Sequence, residues 1–362
     1  MAAVCGSSDG RGAMSPGRRV YISSALAAPG GPSDGVHGFV QDAATGALVP
    51  SGAHALTEGA SFVGRDRSGR HLYTCRARPD AGAAAFAVHS DGSLESLGEV
   101  RSGGAGACHV SVDDASRFLF TAHYSSGHLS VHRLTATGAI GEHCDLILPE
   151  GSGPNAERQE HAHAHFCWPV PDSALVVLVD LGTDTLWSYR VDAGTGRLGL
   201  VAANKAPAGS GPRHLRPVGQ DRLLVTGELD STLMQFDFDR FAGTARFVGA
   251  VPASERAGAG DNAPSELALS ESARFCYVAN RGPDTVAVFS LADASPRCVA
   301  EVDCGGAVPR HLAVIGDFLY VANQDSGNVA VFALGDDGIP RPTGGQVALE
   351  RPYCVRALPA AP

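Results

Sequence analysis

The chain has 362 residues and a formal net charge of −10, which excludes a nucleic-acid backbone as the main partner, because phosphates are bound by clustered positive charge. Apolar residues make up 44% and charged residues 18%, with 45 glycines and 22 prolines, so the chain reads as globular and turn-rich, not disordered. No stretch reaches the apolar length of a membrane span, and the opening MAAVCGSSDGRGAMSPGRRV lacks the continuous apolar run of a secretory signal, so a soluble, cytoplasmic protein with no membrane partner is expected.

Short apolar strands recur along the chain: YISSA from Tyr21, YTCRA from Tyr73, FTAHY from Phe120, VLVDL from Val177, LVTGEL from Leu224, YVANRG from Tyr277 and YVANQ from Tyr320. Their spacings run from 43 to 57 residues. Each is followed by a loop, a second β-like run and a Gly- or Asp-rich turn, and most are preceded by a strand such as GASFVGRDRSG or ACHVSVDDASR. Seven units of about four strands predict an all-β, seven-bladed β-propeller. The first unit lacks its preceding strand, and Arg351 to Leu358, RPYCVRAL, resembles the openings of units six and seven. It is expected to become the innermost strand of blade one, closing the ring and removing exposed sheet edges. One propeller domain over residues 20–358 follows, with residues 1–19 as a flexible tail.

The nine cysteines form no CxxC pair and read as reduced, buried, small apolar residues. Superposing the repeats turns distant residues into neighbours. With Tyr277 and Tyr320 equivalent, Arg281 and Gln324 fall together with Glu228, Leu181, Tyr124, Ala77 and Ala25, just past the second strand. The preceding strand begins at Ser61, Cys108, His165, Arg213, Ser265 and Arg310, and antiparallel pairing puts these beside the first set. His165, Arg213, Glu228, Arg281 and Arg310 are therefore expected at one mouth of the central channel. Three arginines there make the mouth cationic on an acidic protein, a setting for a small anionic substrate, with His165 placed to exchange a proton. Strand alternation turns His214 away from the side that Arg213 faces. Taken singly, each residue also has a structural explanation: surface ion pairs for the arginines, a turn cap for Glu228, and backbone hydrogen bonds for His214 and His311.

The segment QEHAHAHF from Gln159 carries His161, His163 and His165 at period two, which on a strand would share one face. Without a fourth ligand or another Cys/His cluster this is a weak zinc signal, so no metal and no cofactor are expected. His165 is read as functional, His163 as supportive of substrate binding and His161 as exposed and incidental. The Gly-rich segments from Gly151 and Ala257 lack a Walker lysine and read as loops, the first bringing Asn155 and Arg158 toward substrate.

GPNAERQEHAHAH from Gly153, DLGTD from Asp180, GSGPRH from Gly209, GEL from Gly227 and NRG from Asn280 resemble the β-propeller lactonase family, over roughly Val20 to Leu358. That family contains the propeller type of 6-phosphogluconolactonase and the fungal 3-carboxy-cis,cis-muconate lactonizing enzyme. The resemblance implies active-site groups at His165, Arg213, Glu228 and Arg281, the residues that the repeats bring together. Two departures bear on substrate identity: Gly227 where the family commonly has Asn, and Ala162 where it has Pro. Three functions stay open. The first is a lactonase acting on 6-phosphogluconolactone, with His165 or Glu228 able to take the proton of water and His165 preferred as base, Arg213 and Arg281 holding phosphate or the developing oxyanion, and Glu228 otherwise orienting His165 or exchanging a second proton. The second is a cycloisomerase closing or opening a carboxylated muconolactone in the same pocket, and the third a non-catalytic binding propeller.

Overall fold

The structure, a computed structural model, describes residues 17–25, 34–77 and 81–359. The recurring Val, Tyr, Phe and Ala runs, each stopped by a Gly- or Asp-containing turn, form 28 strands grouped in seven four-stranded antiparallel sheets. Each sheet is one blade, with its strands in sequence order from the axis outward except in blade 1, where Pro352–Ala357 lies innermost and pairs with Arg19–Ser24. The last strand therefore closes the ring. Residues 1–16 of the expected tail lie outside the described residues. Arg19 is not tail but the first residue of a strand, and the carbonyl of Arg18 accepts the Gln41 N–H at 2.8 Å.

Second strands such as Leu175–Asp180 and Phe318–Asn323 are buried at every position because a neighbouring blade covers each face. Outermost strands such as Thr244–Pro252 alternate exposed and half-buried positions. Aromatic residues of the repeat latch one blade to the next. Tyr21 Oη donates to the Gly92 carbonyl of blade 2 at 2.8 Å, Tyr73 Oη to Gly138 of blade 3 at 2.9 Å, and Tyr320 Oη to Gly46 of blade 1 at 2.7 Å. Two of these turns come too close to the neighbouring blade for a side chain: a Cβ at Gly46, with φ +73°, would lie 2.3 Å from the Phe318 ring, and one at Gly138 2.2 Å from the His71 ring.

The feature that shapes the channel occurs in every innermost strand. In all seven, the pairing with the second strand slips by one residue, as between Ala107 and His109, Ala164 and Phe166, or Pro309 and His311. A bulge of this kind bends the strand and re-aims a side chain. Here it lets two consecutive residues of each innermost strand face the axis.

Candidate active site

In six of the seven blades the first of those two residues lines a cavity of about 570 Å³ at one mouth of the channel. Ser61, Cys108, His165, Arg213, Arg310 and Tyr353 come from innermost strands, while Ala25, Ala77, Tyr124, Glu228 and Arg281 come from the ends of second strands. The structure brings His165, Arg213, Glu228, Arg281 and Arg310 together with Arg158 and Tyr124, both expected near this mouth, and adds Tyr353.

Glu228 sits at the centre of the charge network. Arg158 Nη2 donates to its Oε1 at 2.7 Å and Arg281 Nη2 to its Oε2 at 2.8 Å, while Arg213 Nε lies 2.8 Å from the same Oε2. Burial alone would raise its pKa, but Arg281, Arg213, His165 and Arg158 together hold the carboxyl well below the usual carboxylate range. A carboxylate so stabilised is a poor base and a good clamp. Burial, with Arg281 close by, pushes the Arg213 guanidinium down to about 9, leaving it charged at neutral pH.

Arg310 differs from the other three. Its guanidinium lies over the Tyr353 ring at 4.6 Å and donates to Gln324 Oε1 at 3.2 Å, and it has no carboxylate partner among the described residues. Four guanidiniums therefore share a cavity with one carboxylate. His165 is 6% exposed, and burial followed by Arg213 and His214 drives its pKa well below the ordinary histidine value. It is a neutral imidazole at pH 7, and its buried Nδ1 has no hydrogen-bond partner. Cys108 is no nucleophile, since burial pushes its thiol up to about 12.

Local sequence explains the placement. The Asp184 carboxylate accepts N–H groups of Gly209 at 2.7 Å and Gly211 at 2.8 Å, folding GSG into the turn that launches Arg213. Only glycine fits at Gly211, where φ is +60° and a Cβ would lie 2.5 Å from Leu229. Gly227, where the resembled family commonly has Asn, leaves room for Asp230, whose Oδ1 would sit 2.4 Å from a Cβ at this position and accepts the Thr232 hydroxyl at 2.7 Å.

Three expectations are corrected. Asn155 does not line the cavity; its Oδ1 accepts the Glu157 and Arg158 N–H groups and so fixes the turn that delivers Arg158. His163 lies behind Tyr124, stacked at 4.6 Å, instead of in the cavity. It does not share a face with His165, because His161 and His163 precede the strand Ala164–Pro169 and the bulge re-aims His165.

His214 does not turn away from the axis. The bulge places it one layer below Arg213, where Phe62, His109, Phe166, His214, Glu266 and His311 close the floor of the cavity. Ring centroids meet across the channel at 4.2 Å for Phe62 and His109, 4.0 Å for His109 and Phe166, and 5.1 Å for His165 and His214. Glu266 is fully buried there, accepting from His214 Nδ1 at 3.0 Å and pairing with Arg216 Nη2 at 3.0 Å and His311 Nε2 at 3.2 Å. Strict strand alternation hid this layer.

Residues 19–357 match the family described as lactonase, 7-bladed β-propeller. The chain belongs to that lactonase family. A 6-phosphogluconolactonase of Bacillus subtilis (strain 168) is 31% identical over 264 residues, 72% of this chain and 75% of that protein. An uncharacterized protein of Lactococcus lactis subsp. cremoris is 31% identical over 261 residues, again covering 72% and 75%. Among solved structures, the periplasmic gluconolactonase of Pseudomonas aeruginosa superposes with a TM-score of 0.87 at 24% identity, covering 95% of this chain and 99% of that one. A Lactobacillus plantarum protein gives 0.86 at 25% identity, covering 95% and 100%. At such identities these superpositions speak for the lactonase fold.

Proposed function

We propose that this lactonase hydrolyses a small anionic sugar lactone, 6-phosphogluconolactone, to the open acid. The observation that carries the reading is the surplus of guanidinium in the cavity, above all Arg310, which forms no carboxylate ion pair among the described residues. A phosphate offers the planar Arg310 fork paired anionic oxygens for charge-assisted, bidentate recognition that a neutral sugar lacks. The 31% identity to a 6-phosphogluconolactonase supports the same substrate.

In the proposed reaction His165 accepts a proton from water as the oxygen attacks the lactone carbonyl. Arg213 and Arg281 are already oriented by Glu228 and stabilise the oxyanion without reorganisation. Collapse breaks the ring C–O bond, and the imidazolium returns its proton to the leaving alkoxide. The free thiols of the eight described cysteines support a reducing, cytoplasmic setting.

Initial rates on 6-phosphogluconolactone, unsubstituted gluconolactone and a carboxylated muconolactone test the reading side by side. The phosphorylated lactone is expected to turn over fastest, with Arg310→Gln raising its KM and leaving that of gluconolactone little changed. Fastest turnover of the uncharged lactone would remove the role given to the arginines. Conversion of only the muconolactone, without incorporation of solvent oxygen, would make the protein a cycloisomerase.

A further inference from the structure

Outside the cavity, Glu160, His161 and His163 bring one carboxylate oxygen and two ring nitrogens within 4.8 Å of one another. The hydrogen bonds on the far side of each ring fix what those nitrogens are. His161 Nδ1 lies 2.6 Å from the Ala162 carbonyl and His163 Nδ1 lies 2.8 Å from the Tyr124 carbonyl. A carbonyl oxygen can only accept, so each Nδ1 carries the hydrogen and each Nε2 of a neutral ring presents a lone pair. Both lone-pair nitrogens face Glu160 Oε1, at 3.3 Å from His161 and 3.2 Å from His163. Three acceptors thus converge with no donor among them.

A metal cation satisfies such a set, and the spacing indicates its kind. Tetrahedral zinc with bonds of about 2.0–2.1 Å holds its ligand atoms about 3.3 Å apart, the separation of both nitrogens from Glu160. His163 is 5% exposed, and Glu160 Oε1 lies 3.2 Å from its buried Nε2. The support behind His163 is of the kind that orients metal-binding imidazoles. Besides the Tyr124 carbonyl, its backbone N–H donates to Asp180 Oδ1 at 2.7 Å, and that carboxylate also accepts Thr183 Oγ1 at 2.6 Å.

We propose that Glu160, His161 and His163 form a zinc-type transition-metal site with a fourth position open to solvent, Glu160 and His161 being exposed. The site anchors one end of the loop whose Arg158, two residues before Glu160, reaches Glu228 and the Tyr124 hydroxyl. The metal therefore acts as a clasp on that loop and stands apart from the reacting atoms. A zinc search confined to His and Cys overlooks it, because the third ligand is the glutamate before the His-x-His.

Metal-free, untagged protein titrated with Zn2+, and separately with Co2+, tests the assignment. One metal per chain is expected, with a tetrahedral Co2+ visible spectrum and no thiolate-to-cobalt charge-transfer band. His161→Ala, whose exposed side chain is dispensable for folding, and Glu160→Gln should each weaken Zn2+ binding by at least about tenfold, as losing a ligand costs no less than losing its support. Zn2+ should also slow amide exchange over residues 151–160 in the wild type and not in His161→Ala. Absence of binding, unchanged affinity in both variants, or a thiolate spectrum would each overturn the proposal, the first leaving Glu160 and the histidines to share a proton.

Discussion

Glu228→Gln separates a carboxylate that clamps arginines from one that abstracts protons. The substitution keeps size and shape but removes the only carboxylate among the described residues lining a cavity that also holds Arg158, Arg213, Arg281 and Arg310. Arg213 is 3% exposed at its side chain and Arg281 17%, so these charges cannot recover full hydration when their partner is lost. Removing one member of a buried ion-pair network costs about 3–5 kcal/mol. Arg158, at 41% exposure, adds little to that, because solvent screens it. Urea unfolding at pH 7.5 should therefore give Glu228→Gln a free energy lower by about 3 kcal/mol or more, with an unchanged slope against denaturant. Added inorganic phosphate should restore much of this loss, since an anion can take the vacated role. KM for an anionic lactone should fall or hold while kcat drops, because the arginines stay cationic but lose their orientation. An unfolding midpoint equal to wild type, together with a kcat loss of about a thousandfold, would instead make Glu228 the base.

His165→Ala should lower kcat by about 10²–10⁴, the usual contribution of a positioned base, while Cys108→Ser should leave turnover within a few fold; a reversed order would reassign the chemistry. Because burial keeps His165 neutral, kcat/KM should show no inflection near pH 6.5 and should decline only in stronger acid; a midpoint at 6.5 would contradict the buried site. The buried His123 and His132 are pushed down to about 4, and His311 to about 3, chiefly by burial. Unfolded histidines take up protons near pH 6.5 and these do not, so their contribution is fully present above pH 6.5 and is lost as pH falls toward 4, by about 1.4 kcal/mol per pH unit per group. Unfolding free energies that are flat between pH 7 and 5 would refute that linkage. Tyr320→Phe should cost about 1–3 kcal/mol in thermal or urea unfolding by leaving the Gly46 carbonyl of the blade 7 to blade 1 latch unpaired, and no measurable loss would remove the latch from the account of ring closure.

The fold was legible because the propeller writes its repeat into the chain. Residues four positions after Tyr21, Tyr73, Phe120, Leu224 and Tyr277 all line one cavity, from blades far apart in sequence. The partner of the first strand was legible too, since RPYCVRAL has the pattern of an innermost strand, and Pro352–Ala357 occupies that place. Asn155 and His163 were placed by nearness in sequence to Arg158 and His165. Nearness is a poor guide inside a turn: Asn155 spends its side chain on backbone N–H groups, and Tyr124 stands between His163 and the cavity.

What stayed hidden has one physical cause, the bulge at the mouth of every innermost strand. Period-two alternation assigns the residue after Arg213 to the opposite face, and that rule fails where two residues on one strand oppose a single residue on its neighbour. The consequence is a channel with two polar layers of different character. The upper layer, around Glu228, holds an excess of positive charge facing solvent. The lower layer pairs Glu266 with Arg216, sets it against the neutral rings of His214 and His311, and is sealed by Phe62 and Phe166. His165 stands where the two meet, with an unpartnered Nδ1, and its neighbour His214 has an unpartnered Nε2. Removing Glu266 would therefore disturb His214 before it touched substrate, so Glu266→Gln should lower stability and shift the acid limb of the pH profile more than it shifts KM. A change confined to KM would place Glu266 in contact with the ligand and break the two-layer description.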